Sequence, residues 1–144
     1  MIRRLEEKDR AVYLAMARTF YDSDAVDHPV PDAFLTRTFD EMMARNTYAE
    51  GYLLEEDGRA LGYALLAKTW SQEAGGMAVW IEELYVSPEA RGKGLGSAFF
   101  AFLKTRCPAA RYRLETEAEN TRAKALYTRM GFRPLAYESM ILDP

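Results

Sequence analysis

The chain holds one cysteine, Cys107, and one histidine, His28. A single cysteine excludes an intramolecular disulfide, and a single histidine excludes a His-rich zinc site. A Ser-His-Asp triad would have to draw on His28, which lies in "DSDAVDHPVPD", a run that reads as a surface turn. Cys107 stands before Pro108, where a helix should stop, and is expected to behave as a small buried apolar residue. No apolar run approaches the ~20 residues that span a bilayer, and no signal-peptide pattern opens the chain. Clustered basic charge is missing too. The net charge is −3 with both signs interspersed, which argues against general nucleic-acid binding. A soluble, cytoplasmic protein is expected, with no nucleic-acid and no membrane partner and no metal.

What is there is enough for one core. Of 144 residues, 49% are aliphatic or aromatic, so disorder is not expected and a single domain should cover 1–144. Ile2 to Leu5 reads as a short strand. From Lys8 to Tyr21, Val12, Ala15, Met16 and Phe20 recur at helical spacing, and Asp32 to Ala44 gives a second helix with Phe34, Leu35, Phe39 and Met42 or Met43 inward. Two strands then meet at Asp57-Gly58, a two-residue hairpin signal. "SQEAGG" reads as a loop, and "MAVWIEELYVS" as a long strand, apolar almost throughout except for Glu82 and Glu83. Gly94 to Arg106 is a helix with Leu95, Ala98, Phe99, Phe102 and Leu103 on one face. "ARYRLETEAE" alternates as a strand, Asn120 caps a helix from Thr121 to Met130 that Gly131 ends, and "FRPLAYESMIL" is expected to close the chain as a strand or strand pair. The fold class is mixed α/β.

Between the long strand and the next helix lies "SPEARGKGLGSAFF", with Gly92, Gly94 and Gly96 at alternate positions and Arg91 and Lys93 among them. Glycines before a helix let successive N–H groups converge on a ligand, and the helix start adds the positive end of its dipole. Such an entrance suits phosphate oxygens, a pyrophosphate above all. A nucleoside triphosphate would want G-x-x-x-x-G-K-[ST], and no Lys-Ser/Thr pair stands at that spacing. A dinucleotide would want G-x-G-x-x-G with an acidic residue about twenty positions on. Gly92 and Gly94 supply the first pair and Glu115 or Glu117 the acid, but Ser97 fills the third glycine's place. About 48 residues follow Gly96, too few for the rest of a dinucleotide domain.

Coenzyme A is the third ligand class. "LYVSPEARGKGLGSAFFAFL" resembles the acyl-CoA-binding motif of the GNAT superfamily of N-acyltransferases, Arg/Gln-x-x-Gly-x-Gly/Ala, through Arg91, Gly94 and Gly96. "ENTRAKALYTRMGF" resembles the family's second motif through Asn120, Ala123, Tyr127 and the Gly131-Phe132 pair. The order of strands and helices matches along essentially the whole chain. The resemblance implies a GNAT fold, a mostly antiparallel mixed sheet splayed between its fourth and fifth strands with about four helices. It also implies acetyl-CoA as co-substrate, its arm lying in the gap against Leu84, Tyr85 and Val86, with the Leu84 N–H polarising the thioester oxygen. The pyrophosphate would rest on the N–H groups from Arg91 to Ser97 (Arg91, Gly92, Lys93, Gly94, Gly96 and Ser97 among them), and Asn120 and Ala123 would flank the arm.

Transfer to an amine needs a base for the ammonium proton and an acid for the departing thiolate. Tyr127, seven residues beyond Asn120 on the same helix face, is the family's acid by position, although it also fits the apolar stripe Ala123, Leu126 and Met130. Glu82 matches the family's proposed base in "E-[DE]-[LF]-[YF]-V" strands. Glu83 is the reserve, since a bulge could exchange the faces of the two. Either could instead serve a structural ion pair. Asp22, Asp24 and Asp27, in the loop after the first helix, would favour a small cationic amine if they line the acceptor site, and are ordinary turn residues otherwise. The expected function is acetyl-CoA-dependent N-acetylation of a primary amine by direct attack in a ternary complex. A non-catalytic acyl-CoA sensor is the alternative, which having Glu82 and Tyr127 together disfavours. Family members are commonly homodimers; no partner surface is legible here.

Overall fold

At Asp57-Gly58 both residues take positive φ, 51° and 75°, the geometry of a tight primed turn. It joins β2 (Ala49–Glu56) to β3 (Arg59–Ser71), and "SQEAGG" is a second tight turn into β4 (Gly76–Val86). The computed structural model describes every residue from Met1 to Pro144 except Ala25 and Asp27. A short β1 (Ile2–Arg4) pairs antiparallel with β2, giving the sheet order β1-β2-β3-β4-β5. β5 (Arg111–Leu114) lies parallel to β4, which needs a crossover, and α3 (Leu95–Arg106) supplies it.

Both faces of the sheet are covered, so its central strands read as nearly unbroken apolar runs. On one face α1 (Arg10–Tyr21) and α2 (Asp32–Ala44) bury Tyr13, Met16, Leu35 and Phe39 against Leu53, Tyr63 and Tyr85. On the other, α3 buries Phe99, Phe100 and Leu103 against Tyr52, Leu54, Leu66 and Val79, and α4 (Thr121–Arg129) packs at its side. Each fully buried aromatic or leucine contributes roughly 1.5–3 kcal/mol over an exposed one. The inward stripe of α1 is rotated by one position from its expected register: Tyr13, Met16 and Ala17 are buried, while Val12 and Ala15 are exposed. A phenol explains the shift, because Tyr13 packs edge-on against Tyr63 at 5.1 Å and periodicity counts Tyr as ambiguous. Phe34 and Ala98, expected inward, are also exposed.

A bulge in β4 decides where the site's side chains point. Leu65 of β3 pairs with Glu83 and Leu66 with Ile81, leaving Glu82 as the extra residue. Ile81 and Glu83, two apart, would otherwise share a face. Instead Ile81 joins the α3 side, and Glu83 and Tyr85 turn to the α1–α2 side.

The expected C-terminal strand does not form. Phe132 folds back on α4 and α3, its N–H bonded to the Tyr127 carbonyl at 2.9 Å, and the chain beyond it has no ladder. Pro134 removes a donor, and four-residue β5 offers a short edge to pair with. Met140, Ile141 and Leu142 are consequently exposed, at 91%, 77% and 89%.

Candidate functional site

β4 leads into the glycine stretch through a single 3₁₀ turn, Pro88–Ala90, with the Ser87 N–H held by the Leu61 carbonyl at 2.8 Å. The Arg91 Nε donates back to the Val86 carbonyl at 3.0 Å, which fixes the start of the curl. Gly92 and Gly94 then take φ of 75° and 81°, the left-handed region that residues with a Cβ enter at a cost of about 1–2 kcal/mol. Gly94 is the N-cap of α3, and the first amide closed within the helix is that of Ala98, donating to Gly94 at 2.9 Å. The Leu95, Gly96 and Ser97 amides therefore precede the helical ladder and await an acceptor. Gly96 has another reason to be glycine: a Cβ there would lie 2.8 Å from Leu126 Cδ2, so α3 and α4 pack backbone to side chain. Arg122 Nη2 stands 3.7 Å from where a Gly92 Cβ would be. This cation near the curl carries no motif signal in the sequence.

Below the curl the sheet parts. The last β4–β5 pair is Ile81 with Leu114, while β4 continues to Val86. Leu84, Tyr85 and Val86 keep β3 on one edge, opposite Ala64, Tyr63 and Gly62, and among the described residues have no strand on the other. The expected strand through Glu119 thus stops at Leu114, as a splay requires. Across the opening, Asn120 caps α4 with its Oδ1, which accepts from the Ala123 N–H at 3.2 Å. Tyr127 lies half-buried with its ring edge-on to Phe100 at 5.9 Å. Its hydroxyl makes no hydrogen bond among the described residues, and burial pushes its pKa above the ordinary phenol value. Tyr127 thus packs with Met130 and Phe132 against the α3-side core, as the apolar stripe expects.

The two glutamates occupy different worlds. Glu82, the bulged residue, is exposed where β5 leaves off, and its carboxyl is pushed up by partial burial and then by the charge of Glu115. Glu83 is 7% exposed. One of its oxygens accepts from the Tyr21 hydroxyl at the end of α1, and the other from the Tyr63 hydroxyl at 2.5 Å. Burial raises its pKa, the two phenols hold it down, and the nearby Glu82 charge raises it; the net direction is upward. Neither tyrosine was legible as a partner, because they come from 62 and 20 residues away.

The remaining candidates stand apart. Asp22 accepts from Arg18 at 3.2 Å, so its charge is compensated; Asp24 is exposed, and Asp27 lies outside the described residues. His28 is exposed. Cys107, expected to be plainly apolar, packs against the α3-side core but also sits 3.2 Å from the Tyr52 hydroxyl. That hydroxyl belongs to a buried cluster in which Glu50 accepts from Tyr52, Lys68 and Arg4. Burial pushes Glu50 up, yet these three donors outweigh it and hold its pKa below the usual range. Two clefts of about 330 and 600 Å³ flank Glu50 and Arg4. The smaller is lined by Met42, Met43 and Arg45 at the C-terminal end of α2, and the larger by Phe102 and Arg106 toward the C-terminal end of α3, whereas the glycine curl is at the N-terminal end of α3.

Comparison with known proteins accords with this geometry. Residues 11–132 match the model of the acetyltransferase (GNAT) family. A mycothiol acetyltransferase of Beutenbergia cavernae is 38% identical over 89 residues, 59% of this chain, and the chain spans 29% of that protein's length. A possible acetyltransferase from Clostridium difficile 630 superposes with a TM-score of 0.84 at 19% identity, covering 100% of this chain and 97% of the other. An integron cassette protein from the mobile metagenome of Cole Harbour Salt Marsh gives 0.82 at 25% identity, covering 99% and 91%. AAC(6')-Iy, in complex with the bisubstrate analogue CoA-S-monomethyl-acetylneamine, gives 0.82 at 16% identity over 100% and 97%. With the family match running through the glycine curl, the parted strands and α4, this chain belongs to the acetyltransferase (GNAT) family.

Proposed function

We propose that the protein is an acetyl-CoA-dependent N-acetyltransferase, built as one domain over 1–144 and working in the cytoplasm, that acetylates a primary amine of a small cationic acceptor. One observation carries the reading: β5 pairs with β4 only as far as Ile81, and β4 runs on toward a glycine curl whose open amides begin a helix. The residues present fit coenzyme A. Positive φ at Gly92 and Gly94 and open amides from Leu95 to Ser97 suit its diphosphate, with Arg91, Lys93 and Arg122 adding charge. Bound there, acetyl-CoA would supply an activated thioester.

The chain's own groups do the rest. The open edge of Leu84 to Val86 offers backbone to the arm, and the Leu84 N–H stabilises charge developing on the carbonyl oxygen. Glu82, exposed at the gap, takes the ammonium proton; its upward shift brings it nearer to neutral pH, where a general base is most effective. Tyr127 serves the leaving sulfur. A phenol holds its proton more tightly than a thiol by roughly 2 kcal/mol, so it chiefly hydrogen-bonds the developing thiolate until solvent completes the transfer. The proposal involves no metal, no nucleic acid and no membrane; among the described residues no helix is long and apolar enough to cross one. The open β5 edge and the exposed Met140–Leu142 segment support a homodimer, which light scattering on the intact chain checks.

Incubation with acetyl-CoA and a panel of amines, an aminoglycoside, a diamine, an amino sugar and an alanine-ended peptide, tests the reading through free-thiol release. Amine-dependent release is expected. Tight CoA binding without release for any amine would point to a sensor instead.

A further inference from the structure

From the Tyr21–Glu83–Tyr63 arrangement we infer that the Tyr21 hydroxyl oxygen is a recognition point for the acceptor's ammonium group, on the side of the sheet opposite Tyr127; the inference rests on the amine-acetylation reading above. Glu83 has each oxygen engaged by a phenol donor and is buried, so a substrate does not reach it directly. Of the two phenols, Tyr63 is fully buried while Tyr21, the last residue of α1, is half-buried and reaches the surface. Because the Tyr21 proton is committed to an acceptor-only carboxylate, its oxygen is left presenting lone pairs. Hydrogen-bonded chains polarise one another, and the anion behind it makes that oxygen a stronger acceptor.

Position and field agree. Glu83 lies in the part of β4 that β5 does not cover, so Tyr21 stands over the gap from the α1–α2 side. The charges of Glu83 and Glu82 are both felt at its hydroxyl, giving a negative potential that favours a cation over a neutral nucleophile. Phe20, edge-on to the Tyr21 ring at 5.1 Å, and Tyr63 beyond it keep the ring in place. An amine docked on Tyr21 would have its nitrogen beside the accessible Glu82.

The test is steady-state kinetics with the best amine of the panel, comparing wild type, Tyr21→Phe and Glu82→Gln. A hydrogen bond to a charged group is worth enough that Tyr21→Phe should raise the amine KM roughly 10- to 100-fold. Its kcat and acetyl-CoA KM should stay close to wild type, whereas Glu82→Gln should lower kcat. Glu83→Gln, which offers an N–H back to a phenol, should raise the amine KM as Tyr21→Phe does. An unchanged amine KM in folded Tyr21→Phe overturns the inference while leaving the transferase reading intact. No acetylation of any amine overturns the transferase reading, and this inference with it. Should the variants fail to fold, crystals of the unmodified chain soaked with CoA and the same amine decide. Nitrogen within hydrogen-bond distance of the Tyr21 hydroxyl supports the inference, and nitrogen placed elsewhere overturns it.

Discussion

Two adjacent carboxylates on one strand have separate fates because one bulged residue lies between two faces. Glu82 keeps solvent and a like-charged neighbour, Glu115; Glu83 loses solvent and gains two phenols. If Glu82 is the base, activity falls as pH drops through a value above that of an ordinary glutamate, because protonation removes its lone pair. Glu82→Gln should lower kcat on the order of 100-fold and erase that acid limb, as a pH–rate profile measures. The same profile for Glu83→Gln should retain the limb. If Tyr127 serves the leaving sulfur as proposed, Tyr127→Phe removes its proton and leaves the glycine curl intact. We expect kcat to fall roughly 10- to 100-fold with acetyl-CoA affinity, read by calorimetry, within about threefold of wild type. Sequence exposed these residues by type and spacing, and the motifs carried Tyr127 and Asn120. It hid Tyr21, Tyr63 and Arg122, since partners distant along the chain leave no periodic trace.

At the scale of elements, the glycine curl and the bulge of β4 work as one device. The curl aims amides at the start of α3, and the bulge reverses the strand's facing just where β5 departs. Gly94→Ala should cost about 1–2 kcal/mol of stability through left-handed strain, visible in urea unfolding, and should weaken CoA binding as the curl opens. Gly96→Val should act differently. Its side chain would collide with Leu126, 2.8 Å from the added Cβ, so α4 shifts and Tyr127 with it; kcat should suffer more than CoA affinity. Elements whose signals are local were legible: the Asp57-Gly58 hairpin, the Asn120 cap and the Gly94 helix start all stand where spacing places them. Elements that depend on a neighbour were not. The C-terminal strand pattern of "YESMIL" finds only a four-residue edge beside it, and pairing rather than propensity decides a strand.

For the molecule as a whole, the buried Glu83 links site to stability. Its pKa is raised on folding, so between the unfolded value near ~4.3 and the folded one the native state binds more protons. That contribution is fully present below the unfolded value and is lost as pH rises through the folded one. The melting temperature of wild type relative to Glu83→Gln should therefore climb as pH is lowered through the folded value toward the unfolded one, and a flat difference would contradict the raised pKa. The mixed α/β class followed from the chain's pattern, and the splay and the four helices seen among the described residues from the family resemblance that two motifs carry. The inward register of α1 did not, because tyrosines such as Tyr13 and Tyr63 serve core and hydrogen bond alike. In the proposed mechanism, amides at the start of α3 hold a diphosphate so that a thioester enters between β4 and β5. A crystal structure of the chain with acetyl-CoA tests it most directly. We predict diphosphate oxygens on the amides between Gly92 and Ser97 and the acetyl carbonyl beside Leu84, whereas coenzyme bound elsewhere, or β5 paired with β4 through Val86, would contradict it.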